Sequence, residues 1–286
     1  MTVYDSFADR VSQNNEGQYL IVPPELLTEF PVCIKSDEIC SRRCFKGTAW
    51  CKGGCGGSYN PSLVGYDLSK TRIEELKTQI HKKACWVAAP HFMVLGVASL
   101  MYTLSTKFHV KPSSLRIETA PEDFLPTSSL ASILPAEIPK VWGGAKPKDL
   151  WMEKYPHKVG IKSIVRATSV SEVWFGVETG DDRLRSKYGK RCSSAQIAEA
   201  TDFAHSLGLV VGWYLVVSSL DTPATLKATT ELAAKSTPDR VYVSELDDGF
   251  HHQTTKATAN GLRNVLAGLD GWVDLRISLR THEGEE

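Results

Sequence analysis

At 286 residues and 42% hydrophobic content, the chain can fill one large α/β core or two modest ones and has no need of a disulfide scaffold. Its 33 basic and 33 acidic residues cancel, so nothing global draws it to nucleic acid or to an anionic membrane. No apolar run reaches the ~18 residues of a membrane span, the N-terminal MTVYDSFADRVSQNNEGQ lacks the apolar core of a signal peptide, and an odd cysteine count with no export signal points to a reducing cytoplasm.

In chain order, residues 1–29 read as a mixed N-terminal extension, with a short strand over 19–22 that Pro23-Pro24 ends. Residues 30–286 read as one domain. Its first strand, 30–35, runs into VCIKSDEICSRRCFKGTAWCKGGCGG, which holds five of the seven cysteines: Cys33, Cys40, Cys44, Cys51 and Cys55. The intervening gaps of 6, 3, 6 and 3 residues match neither the paired knuckles of a zinc ribbon nor a redox CxxC. Clustered thiolates suit a soft metal, either an iron–sulfur cluster or zinc closed by Cys40, Cys44, Cys51 and Cys55. Cys33 alternates with Val32 and Ile34, as a packed strand residue does.

The spacing then predicts a helix over 69–82 with Ile73, Leu76 and Ile80 on one face, a strand over 84–88, a helix over 93–106 and a strand over 114–119 ending near Glu118. Six prolines between 120 and 171 leave only loops and short helices there. Strand VWFGV follows, closed by Glu178. Ser193 or Ser194 caps a helix through Leu207 that Gly208 stops, and 209–217 is a strand. Thr222-Pro223 opens a helix to about Lys235, with proline where its missing N–H costs little. A strand over 240–245, a helix over 260–269 and a strand over 272–279 complete the chain.

Such alternation predicts an α/β fold built as a parallel (βα) barrel of the TIM type, partial, with about six βα units. Barrel chemistry gathers at the C-terminal ends of the strands. The cysteine stretch, Glu118, Glu178 and Asp221 all fall on that rim. A carboxylate ending the apolar strand before Glu178 needs a partner. Cys85 reads as core and Cys192, beside Arg191, as a candidate thiolate. His251-His252 after Asp247-Asp248 form a candidate acid–base or metal pair.

From 172 to 245 the chain resembles the radical S-adenosylmethionine superfamily. The residues that carry the likeness are GVETGDDRLRSKYGKR, then IAEATDFAHSLGLVVGWYLVV, then DTPATLKATTELA. They look like that superfamily's fourth strand with its Glu, the following helix, the fifth strand and the turn into the next helix. SDEICSRRCFKG resembles its C-x3-C-x2-C loop, with Cys40 and Cys44 on the first two ligand positions and Phe45 on the aromatic one, but Gly47 stands where the third cysteine belongs. The resemblance implies a [4Fe–4S] cluster on Cys40, Cys44 and Cys51, with Cys55 as the other candidate for third ligand. It further implies S-adenosylmethionine bound at the open iron, reductive cleavage of the sulfonium, and hydrogen abstraction from substrate. Glu178, Lys190, Arg191 and Glu118 become cofactor-binding candidates, with Lys190 or Arg191 pairing with the cofactor's carboxylate. An electron donor such as flavodoxin or ferredoxin and a small-molecule or peptide-derived substrate are the implied partners. The competing expectation is a barrel protein with a structural zinc site and no radical chemistry.

Overall fold

The computed structural model describes residues 2–4, 29, 32–35, 70–88, 97–129, 159–218, 220–245 and 274–278. Eight strands form one sheet in chain order: β1 (Thr2–Tyr4), β2 (Val32–Lys35), β3 (Ala84–Ala88), β4 (Ser114–Thr119), β5 (Val170–Glu178), β6 (Val210–Val217), β7 (Arg240–Glu245) and β8 (Asp274–Ser278). β1 pairs antiparallel with β2, placing an edge strand where the sequence predicts none. From β2 to β8 every neighbouring pair is parallel. Seven parallel strands in sequential order make the expected partial (βα) barrel. Among the described residues β1 and β8 do not pair, so the barrel is open.

The described helices are α1 (Lys70–Ile80), α2 (Val97–Phe108), α3 (Ile161–Thr168), α4 (Asp182–Lys187), α5 (Ser194–Ser206) and α6 (Pro223–Ser236). Capping signals set their ends. Ser193 and Gln196 close a capping box on α5, Thr222 and Thr225 close one on α6 with Pro223 in its first turn, and Gly208 turns the chain out of α5 at φ 75°. Ile73, Leu76 and Ile80 are buried as the α1 pattern requires. α3 is the short helix of the proline-rich middle, ended by Ser169 in the left-handed region.

The sheet has two faces of opposite chemistry. Leu115, Ile117, Val173, Phe175, Val177, Val211, Trp213, Leu215, Val241 and Val243 belong to the apolar core under the helices. Phe124 packs on Phe175 and on Phe203 of α5, with ring centroids 5.7 and 5.9 Å apart, and Trp213 Nε1 donates to Thr201 of α5 at 3.2 Å. The alternate residues Trp86, Arg116, Glu118, Glu172, Trp174, Tyr214 and Tyr242 occupy the concave inner face. There Tyr214 of β6 reaches Glu118 of β4 across β5, and Arg240 of β7 reaches Glu172 of β5 across β6. Only the inside of a curved sheet brings such strands within reach of one another.

Candidate functional site

At the floor of the barrel Arg116 is fully buried, with its guanidinium 4.3 Å from the ring of Trp174 and 5.3 Å from that of Trp86. Stacking on two indoles gives a desolvated cation some of the attraction that water would have supplied. Gly212 makes this possible, since a Cβ there would lie 2.2 Å from the Trp174 ring. Arg116 Nη2 donates to the Tyr214 hydroxyl at 2.7 Å and sits 3.7 Å from Glu118 Oε1. Nη1 is 4.0 Å from Glu172, whose carboxylate also takes the Trp174 indole N–H and Arg240 at 3.1 Å. Arg240 in turn reaches Glu29 at 2.9 Å. Charges of alternating sign therefore climb the inner face from Glu29 through Arg240, Glu172 and Arg116 to Glu118.

Glu118 is held by one of its two oxygens. Oε1 accepts from the Tyr214 hydroxyl at 2.6 Å and from Trp86 Nε1 at 3.1 Å, with Arg116 behind it. Burial pushes this carboxyl above the usual carboxylate range, and Arg116, Tyr214 and Trp86 offset only part of that. The Tyr214 hydroxyl is pushed up by the same burial.

Glu178 closes β5, the fourth of the parallel strands. Glu118 pairs with Trp174 in the sheet register, so Glu178 stands four residues, about 13 Å of strand, further along β5. The two carboxylates expected together on one rim thus occupy different depths, because β5 outruns β4. Glu178 itself has φ 64°, a left-handed conformation that is costly for a side-chain-bearing residue, and Thr179 N–H closes a tight turn onto the Val177 carbonyl at 2.8 Å. The β5–β6 register shifts between Gly176 and Glu178. Strain of this kind persists only where the surrounding structure holds it in place.

The partner that Glu178 needs is Lys190, with Nζ 2.7 Å from Oε1 and both side chains mostly buried. Gly176 lies beneath the pair; a Cβ there would come within 2.9 Å of Lys190 Nζ and 3.0 Å of Glu178 Oε1. Lys190 is presented by a loop that Arg185 pins. This fully buried arginine donates to the carbonyls of Thr179 at 3.0 Å and Cys192 at 3.2 Å and pairs with Asp182. Gly180 fits against α6 so closely that a Cβ would meet Thr229 Cα at 2.3 Å, and its N–H donates to Thr229 Oγ1 at 2.8 Å. Arg191 is exposed and makes no ion pair among the described residues, so of these two neighbouring cations Lys190 is the one that reaches Glu178.

The other expected positions have structural roles or fall outside the described residues. Asp221 accepts from Ser218 N–H at 2.8 Å and Thr225 Oγ1 at 3.0 Å, tying the turn after β6 to α6. Cys192 is buried and its thiol is pushed up to about 12, chiefly by burial, so it is not a thiolate. Cys85 is buried core. Cys40, Cys44, Cys51, Cys55, Gly47, Asp247, Asp248, His251 and His252 lie outside the described residues. Among the described residues no three His, Cys, Asp or Glu side chains gather as a metal site, and no helix is long and apolar enough to cross a membrane.

The sequence reading missed Trp86, Arg116, Glu172 and Tyr214. A signal existed, since a parallel sheet is covered on both faces and every second residue of SLRIET and of SEVWFGVE must be buried whatever its polarity.

No protein-family model matches the chain, and no curated protein matches it in sequence. Among solved structures it is similar to a radical S-adenosylmethionine methyltransferase, TsrM, of Kitasatospora setae, solved with cobalamin and a [4Fe–4S] cluster bound, at 12% identity and a TM-score of 0.45 over 74% of this chain and 36% of that one. It is also similar to methylornithine synthase, PylB, at 11% identity and a TM-score of 0.48 over 86% of this chain and 63% of that one. A third similar structure is SuiB of Streptococcus suis bound to S-adenosylmethionine, at 11% identity and a TM-score of 0.35 over 67% and 42%. The chain spans between about one third and just under two thirds of the length of these proteins.

Proposed function

We propose that the chain is a radical S-adenosylmethionine enzyme that holds the amino-acid end of its cofactor on Glu178 and Lys190. The observation that carries this reading is the Glu178–Lys190 pair at 2.7 Å over the open backbone of Gly176. It comes from the stretch whose sequence resembles the superfamily. It also offers one carboxylate and one ammonium, the complement of an α-ammonium and an α-carboxylate. Glu178 accepts from the cofactor's ammonium and Lys190 donates to its carboxylate, and the missing Cβ of Gly176 leaves the room that both side chains use.

Cys40, Cys44 and Cys51 are the proposed cluster ligands. They follow β2 in the chain after Lys35, and Lys35 and Glu178 both lie at the C-terminal ends of parallel strands, where barrel chemistry collects. A [4Fe–4S] cluster with S-adenosylmethionine, when bound, supplies one-electron cleavage of the sulfonium bond, with the electron drawn from a flavodoxin or ferredoxin in a reducing cytoplasm. The chain's own contribution is to orient and to keep water out. Further down the barrel the rings of Trp86, Trp174, Tyr214 and Tyr242 give the inner face an apolar wall. The substrate in this reading is a small molecule or peptide-derived compound.

Equilibrium dialysis of anaerobically reconstituted protein against S-adenosylmethionine tests the assignment. Glu178→Gln and Lys190→Met should each weaken binding about tenfold or more, as loss of a charge-assisted hydrogen bond does, while iron content stays at the wild-type level. Wild-type affinity in both variants would overturn it.

A further inference from the structure

We infer that Glu118 is the substrate-orienting carboxyl of the barrel and that its Oε2 takes the ammonium group of an amine substrate. The inference deepens the preceding proposal and rests on it in taking the barrel mouth as the place where substrate is held.

Three observations lead there. The first is the asymmetry of the carboxyl. Both hydrogen bonds and the closest approach of Arg116 fall on Oε1, and Oε2 takes no hydrogen bond among the described residues. The side chain keeps 11% of its surface, so its open oxygen is not sealed off as Arg116 is. Oε2 is thus an accessible acceptor inside the barrel, free to take a ligand N–H.

The second observation is that the cations nearby are already engaged. Arg116 lies between two indoles beneath Glu118, Arg240 serves Glu172 and Glu29, and Lys190 pairs with Glu178 four residues further along the neighbouring strand. Arg116 still has two donors, Nε and Nη1, with no hydrogen-bond acceptor, and they lie at its fully buried position under the carboxyl. A ligand entering from the mouth therefore passes the Lys190–Glu178 pair, whose charges offset each other, and then meets the open oxygen of Glu118 before the sealed guanidinium of Arg116.

The third is the surrounding wall. Trp174 and Tyr214 stack at 4.8 Å between centroids, Tyr214 meets Tyr242 edge-on at 5.8 Å, and Trp86 donates to Glu118 itself. Aromatic faces around a carboxylate favour an ammonium over a neutral or anionic group of equal size.

The same arrangement provides a reporter, because the Trp86 indole N–H is bonded to the carboxyl in question. In the full chain labelled with nitrogen-15 at its indoles, and with the Trp86 signal assigned through Trp86→Phe, phenethylammonium should shift that signal saturably. Hydrocinnamate and phenethyl alcohol, close to it in size, should not. Glu118→Gln should weaken the amine response about tenfold or more. Equal responses to the amine, the carboxylate and the alcohol in wild-type protein would overturn the inference without relying on any variant. An undiminished amine response in a folded Glu118→Gln protein would overturn it as well. Iron content and cofactor cleavage, read on the same preparation, separate the two proposals. Amine binding without iron sinks the radical reading alone, and cofactor cleavage with no amine preference sinks this one alone.

Discussion

Arg116 and Ile117 are adjacent in β4, equally buried and opposite in consequence. Ile117 points to the helices and stabilises by area removed from water, about 25 cal/mol per Å², in a layer where a similar side chain would serve nearly as well. Arg116 points into the barrel, where each partner has one position: Trp86 and Trp174 at its faces, Tyr214 at its edge, Glu118 and Glu172 at its ends. The outer face makes the fold stable. The inner face sacrifices stability to hold polar groups at fixed points, a trade expected where a ligand is handled.

The largest expected contrast lies between those two neighbours. Arg116→Met should cost about 3–5 kcal/mol in urea unfolding, since it strands Glu118 and Glu172, whereas Ile117→Val should cost about 0.5–1.5 kcal/mol. Adding Glu118→Gln to Arg116→Met should restore part of the loss; a strictly additive double variant would mean the inner charges are not coupled. Next comes Gly212→Ala, whose new methyl would drive into the Trp174 ring. It should cost about 1–3 kcal/mol or more and move Trp174 fluorescence, which the outer-face variant leaves unchanged.

Gly176→Ala is smaller in stability and larger in binding. Its methyl meets only the flexible ends of Lys190 and Glu178, so unfolding should shift little while affinity for S-adenosylmethionine falls. Smallest is a pH effect at Glu118. Its folded titration lies above its unfolded one, so the folded state binds the extra proton between the two. Stability relative to Glu118→Gln should therefore decline as pH rises from about 4.3, the unfolded carboxylate value, through the folded titration. The Tyr214 hydroxyl facing it, pushed up by burial, stays protonated over that window. A stability difference that instead grows with pH would mean that Glu118 is stabilised as an anion in the empty barrel.

The same contrast explains what was legible in the sequence. Helix ends were readable because capping is local: Ser193, Gly208 and Thr222-Pro223 act within a few residues of themselves. Strands β3, β4 and β7 were readable because their outer residues are apolar and bounded by turns. The partner required by Glu178 was foreseeable from burial alone, and Lys190 supplies it. The inner face was not legible, because its meaning comes from register. Nothing in SLRIET says that Arg116 will lie between tryptophans 30 residues before it and 58 after it. Nor does it say that β5 outruns β4 and carries Glu178 past Glu118. Strand β1 was missed because three residues at an edge owe their pairing to β2 rather than to their own pattern.

The central claim is that this barrel mouth works with a cluster and S-adenosylmethionine, and anaerobic reconstitution followed by dithionite tests it most directly. The account predicts brown protein with about four irons per chain that releases 5′-deoxyadenosine, and a Cys44→Ala variant that does neither. Colourless protein that retains zinc and leaves the cofactor intact would contradict it.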